Sequence, residues 1–242
     1  MESNNPNYTY DSVVQLDDTD SSRKFLASVF AWMFVALGIS AFCAYGFANT
    51  PALRDTLFNP VTGPTGLAYL AMFAPLAFVL LIRFGLNRLS YGVLAILFIA
   101  YAAITGISLS FILFIYTSSS VLGVFASASV VFGIMAVAGY TTQTDLTKFG
   151  SLLIMFLIGI VVASVINMFI HSSGLDMLIS YIGVAIFVGL TAYDVQKLKR
   201  IGAGLEYGDA TTKKYALMGG LTLYLDFINL FLMMLRVFGR RR

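Results

Sequence analysis

The 242-residue chain predicts an all-α, polytopic membrane protein of seven transmembrane helices, and three observations carry that reading. Hydrophobic residues make up 59% of it and charged residues only 11%, too few to cover a water-facing surface. The charges are also clustered: no Asp, Glu, Lys or Arg occurs within 25–53, 56–82, 89–144 or 149–175. Those stretches are continuously apolar rather than alternating, the pattern of spanning helices of ~20 residues and not of barrel strands.

Residues 1–24 are polar, with Asp11, Asp17, Asp18 and Asp20 close together, and are expected to form a disordered tail. A single transmembrane domain, 25–239, follows, and 240–242 form a basic tail. The first apolar run is too long for the core of a cleaved signal peptide, so it is read as span 1, about 25–48. Span 2 covers about 67–83 and contains Pro75, a kink that neighbouring helices can tolerate. The long charge-free stretch from Leu89 divides at Thr117–Ser120 into spans 3 and 4, about 91–116 and 121–140. Span 5 covers about 149–170 and span 6 about 177–196. A basic loop, 197–214, leads into the last span, 215–238.

Sidedness follows from Lys and Arg. With seven spans, the N-tail and loops 2–3, 4–5 and 6–7 share one side and carry Arg23, Lys24, Arg83, Arg88, Lys148, Lys197, Lys199, Arg200, Lys213 and Lys214. The other three loops carry only Arg54, which predicts a cytoplasmic N-terminus. Arg240–Arg241–Arg242 oppose this, because seven spans leave them on the far side.

The composition also excludes chemistry. One Cys (Cys43) rules out an internal disulfide, and one His (His171) cannot join it in a zinc site. There is no HExxH, GxSxG, P-loop or dinucleotide fingerprint, and no basic stripe for nucleic acid. Neither an enzyme nor a resident cofactor is expected.

Charges inside spans are expensive and mark function by default. Asp226 lies in the middle of the last span, Asp194 ends span 6 and Arg83 closes span 2. In the last span Gly219, Thr222, Asp226, Asn229, Met233 and Arg236 recur at three- and four-residue steps, one helical stripe. Small and polar residues along a stripe turn it towards protein or water, with Thr222 and Asn229 the candidate pore-facing pair. Leucines and phenylalanines fill the other faces, which suits a helix in the middle of a bundle. Gly183, Phe187, Thr191 and Asp194 form a comparable stripe in span 6.

Two desolvated carboxylates brought together cannot both ionise cheaply, so they would share a proton; fully ionised, they offer hard oxygens suited to Ca2+. An always-protonated Arg83 would compete with both. The plainer readings are Asp194 pairing with Lys197 or Lys199 at the interface, Arg83 and Arg236 anchoring there, His171 in a loop and Cys43 as a small apolar residue. Hydropathy alone sets Asp194 much nearer the cytoplasmic boundary than Asp226.

At these residues the sequence resembles the transmembrane Bax inhibitor motif family, in its bacterial branch. The runs that carry the resemblance are TGISLSFI (105–112), GLTAYDVQKLKR (189–200) and LTLYLDFINLFLMMLRVFG (221–239), within a match covering about 23–239. The resemblance implies seven helices with the last at the centre, residence in the bacterial inner membrane, and a pH-sensitive Ca2+ leak. It also implies a di-aspartyl sensor, at Asp194 and Asp226 here, with Arg83 in LLIRFG as the latch on span 2.

A non-conducting regulator of a membrane protease or of translocation machinery is the alternative. An intramembrane aspartyl protease fits less well. Tyr193–Asp194 matches half of its pattern, but Leu223–Tyr224–Leu225–Asp226 replaces GxGD, and Pro51–Ala52–Leu53 lies in the wrong loop.

Overall fold

In a computed structural model, the described residues are 10–59, 63–85, 88–205 and 209–242, with the side chains of 10–19, Met72, Leu76 and Arg83 outside that description. The elements in order are α1 (Tyr10–Asn49), α2 (Pro51–Leu57), a two-residue hairpin of β1 (Phe58–Asn59) and β2 (Gly63–Pro64), and α3 (Gly66–Gly85). There follow α4 (Tyr91–Ile115), α5 (Ser118–Thr141), α6 (Thr147–Ile170), α7 (Ser173–Ala203) and α8 (Ala210–Phe238).

Among the described residues, six helices are long and apolar enough to cross a membrane: Asp20–Asn49 of α1, and α4, α5, α6, α7 and α8. The expected second span, α3, carries a shorter apolar stretch, Gly66–Ile82, interrupted by Pro75. Pro75 cannot donate to the carbonyl of Ala71, and the Ser108 hydroxyl of α4 donates to that oxygen instead. Ser108 belongs to the TGISLSFI run, so one of the signature segments satisfies the carbonyl that Pro75 cannot.

Other ends differ from the hydropathy reading. α1 starts at Tyr10, inside the polar segment assigned to the tail, and Asp20 and Lys24 pair on it at 2.6 Å. α7 runs on to Ala203 rather than ending near 196, and α8 starts at Ala210 rather than near 215. Polar helical turns beyond the apolar run are invisible to hydropathy, and here they are held in place. Gln196 accepts from Leu146 N (2.9 Å) and donates to Thr144 O (2.8 Å), while Lys199 donates to Tyr140 O (2.9 Å).

α8 packs against α1, α4, α5 and α7, and Leu217, Leu221, Leu223, Tyr224 and Leu230 are its deepest side chains. α6 is the reverse case: Phe156, Ile158, Val162 and Phe169 lie more than half exposed along it. Water would not tolerate so continuous an apolar face, whereas acyl chains cover it.

The bundle has two chemically different ends. Ser22 Oγ donates to Lys199 O (2.8 Å) and Arg200 pairs with Asp145 (2.9 Å), gathering the Ser22 turn of α1, the α5–α6 loop and the end of α7 at one end. The C-terminus lies at the other: Thr117 N donates to Arg240 O (3.1 Å) and Arg242 N to Ile115 O (2.9 Å). The basic tail is thus tied to the α4–α5 loop, away from the other basic clusters.

Candidate functional site

Two close approaches fix the antiparallel register of α7 and α8. A Cβ on Gly219 would fall 2.7 Å from Leu198 Cδ2, and one on Gly183 would fall 2.9 Å from Met233 Cγ. That register sets Asp194 level with Thr222 and Leu223, about one turn (~5 Å) from Asp226 along the axes. The large offset expected from hydropathy disappears because both helices extend beyond their apolar runs.

α6 packs against α7, and between α6, α7 and α8 lies a cavity of about 630 Å³. Asp194 and Asp226 both line it, together with Gly219, Thr222, Asn229 and Met233 from the α8 stripe and Phe187 from α7. Its α6 wall is apolar apart from Ser164, with Leu157, Ile160 and Val161. Lys197 and Tyr215 stand at the edge nearer the basic end, the Lys197 amine 5.9 Å from the centre of the Tyr193 ring. Asp226 is 6% exposed, while Asp194 is half-buried. The two polar groups flanking Asp226 are turned back onto the helix: Thr222 Oγ1 donates to Met218 O (3.1 Å) and Asn229 Nδ2 to Leu225 O (2.8 Å). Each keeps an oxygen as a potential ligand.

Some stripe residues go elsewhere. Thr191 is fully buried and donates to Phe187 O (2.8 Å). Arg236 pairs with Asp176 at the start of α7 (3.2 Å), at the C-terminal end of the bundle. Arg83 lies in the last turn of α3, but its side chain is outside the described residues. Lys199, a candidate partner for Asp194, gives its amine to Tyr140 O and lies 4.7 Å from the Tyr140 ring centre.

Three features of the site were not read from the sequence. Tyr224, two residues before Asp226, is wholly buried and meets Ser40 at 2.7 Å. The Ser40 proton goes to Ala102 O (2.7 Å), so the Tyr224 hydroxyl is the donor, tying α8 to α1 and α4. Gln196, two residues after Asp194, clamps the α5–α6 loop. In that loop Asp145 accepts from the Thr147 side chain and backbone and from Arg200, which lowers its carboxyl to about 2. Except for Thr147, two residues from Asp145, the partners lie far along the chain, beyond the reach of local periodicity.

The family model described as "Inhibitor of apoptosis-promoting Bax1" matches residues 22–242. The chain is 45% identical over 233 residues to the inner membrane protein YbhL of Escherichia coli strain K12, covering 96% of this chain and 97% of that protein. It is 44% identical over 228 residues to an uncharacterized protein of Borreliella burgdorferi, covering 91% and 93%. An uncharacterized membrane protein of Streptococcus pyogenes serotype M3 is 34% identical over 232 residues, covering 95% and 98%.

Proposed function

The chain belongs to the family described as inhibitor of apoptosis-promoting Bax1, and we propose that within it this multi-pass inner-membrane protein is a pH-sensitive calcium leak channel. On this reading seven helices span, α3 included despite its kink, and α8 is the central one. The N-terminus faces the cytoplasm, as the basic residues around the α1 start and the α3–α4, α5–α6 and α7–α8 loops favour.

The observation that carries the reading is the shared cavity, which Asp194 and Asp226 both line from levels about one turn apart along the helix axes. Water-poor surroundings make a doubly ionised pair costly, so the pair holds one proton between its members over the mildly acidic range. When both are ionised, their oxygens with those of Thr222 and Asn229 attract a hard divalent cation. Ca2+ takes about six to eight oxygens, so it would keep part of its water here. Such partial coordination suits passage, which needs binding weak enough for release.

Arg83 acts as the latch. Fixed at the end of α3, it competes for a carboxylate, and protonation of the pair weakens that tie, so mild acid favours opening. No resident cofactor is involved; Ca2+ is cargo and H+ the regulator.

The test is Ca2+ flux into liposomes containing only this protein. Flux above that of empty liposomes supports the reading. Its absence at every pH contradicts it and favours a non-conducting regulator of a membrane protease or of translocation.

A further inference from the structure

The cavity that holds the aspartates stops short of the C-terminal end of the bundle, and a second cavity begins where it stops. The second, about 740 Å³, is lined by Asn167, His171, Asp176, Arg236 and Arg241, among others. Ser164 of α6 lines both. Along α8, Met233 is the last residue to line the first cavity and Arg236 the first to line the second.

Met233, at the end of the first cavity, is seated on Gly183 of α7. A Cβ on Gly183 would fall 2.9 Å from both Cγ and Sδ of Met233 and 3.5 Å from its Cε, so the thioether lies flat on a residue with no side chain of its own. Methionine is unbranched, with three rotatable bonds, and can leave such a seat without any helix moving. The second cavity has the character of a mouth. Asp176 and Arg236 pair there with about two-fifths of each side chain exposed, and Ser172 N donates to Asn167 Oδ1 (3.0 Å).

We propose that Met233 is a movable plug between the two cavities, and that water and ions reach Asp226 from the C-terminal end along α6, α7 and α8 when Met233 swings off Gly183. Asp226 lies two turns beyond the plug, ~10 Å along α8. What passes rests on the leak reading; the route itself does not.

The test uses the full chain with Cys43→Ala, which removes the sole native thiol, and one new cysteine at a time. A small membrane-impermeant cationic methanethiosulfonate is added from the side that carries the C-terminus. A hydrated thiolate attacks the reagent's sulfur, forming a mixed disulfide and releasing methanesulfinate, so labelling reports water. Asn167→Cys is expected to label with Met233 in place. Asn229→Cys, in the aspartate cavity, is expected to stay unlabelled with Met233 and to label with Met233→Ala, or with Met233→Val where the larger truncation fails to fold. Equal labelling of Asn229→Cys with and without Met233, or labelling in neither, overturns the plug. If truncation of Met233 opens Asn229→Cys to reagent while neither wild type nor the truncated variant carries Ca2+ into liposomes at any pH, the route stands and the calcium reading fails.

Discussion

Replacing Gly139 by Ala tests how tightly α7 is seated, two residues from Asp194. A Cβ at Gly139 overlaps the Ala192 carbonyl oxygen and falls 2.8 Å from both the carbonyl carbon and the Cα of that residue. All three are backbone atoms, so no rotamer change relieves the contact, and α5 must move away from α7 by several tenths of an ångström. Overpacking of this kind costs about 1–3 kcal/mol. Gly133 on the same helix is exposed, and a Cβ there meets nothing within 4 Å. There the substitution removes only a helix-propensity penalty, which stabilises by up to about 1 kcal/mol. The same change on one helix therefore has opposite signs. Thermal unfolding in detergent, monitored by circular dichroism, should give Gly139→Ala a midpoint several degrees below wild type and Gly133→Ala one at or above it. Equal midpoints for the two variants would refute the α5–α7 contact as drawn.

Three further expectations follow from the site. Gln196→Leu removes both side-chain bonds to the α5–α6 loop; because that loop can bond water instead, the loss should be near the low end, about 1–2 kcal/mol, with faster tryptic cleavage at Lys148. Unchanged cleavage would show that the clamp does not order the loop. Asp145 has its carboxyl lowered to about 2, so its stabilising contribution is present above the ordinary Asp value and lost only as pH falls towards 2. The midpoint difference between wild type and Asp145→Asn should stay constant from neutral pH to about pH 4.5; closure between pH 7 and 5 would contradict this. Arg83→Ala should raise basal Ca2+ leak in liposomes, and an unchanged leak at every pH would reduce Arg83 to an interfacial anchor.

Much of the architecture was legible in the sequence because a helix that crosses acyl chains needs a continuous apolar run whether it faces lipid or protein. The exceptions have physical causes. α3 has a short apolar stretch because Arg83 follows Ile82, and the partner that satisfies the Ala71 carbonyl next to Pro75, Ser108, lies on another helix. The α7 end was misplaced because Gln196, Lys199 and Arg200 hold polar turns outside the apolar run, and the α8 start because Asp209 caps it ahead of that run, accepting from Thr211 N. In the cavity, the α8 stripe from Gly219 to Met233 follows from helical period alone, and the register supplied what periodicity could not, the level of Asp194 relative to Asp226. Arg236 continues the period but leaves the cavity, since Asp176 captures it one turn further on. Tyr224 and Ser40 stand 184 residues apart, and no local pattern announces their bond.

The most direct test of the central claim is the pH dependence of Ca2+ flux in liposomes, measured for wild type, Asp194→Asn, Asp226→Asn and the double variant. Two carboxylates sharing a proton predict a wild-type midpoint above that of an isolated Asp, about 3.9. That raised titration should vanish in either single variant, and the double variant should match the singles because the pair acts as one unit. A midpoint that survives unchanged in both single variants would show that Asp194 and Asp226 are not the sensor.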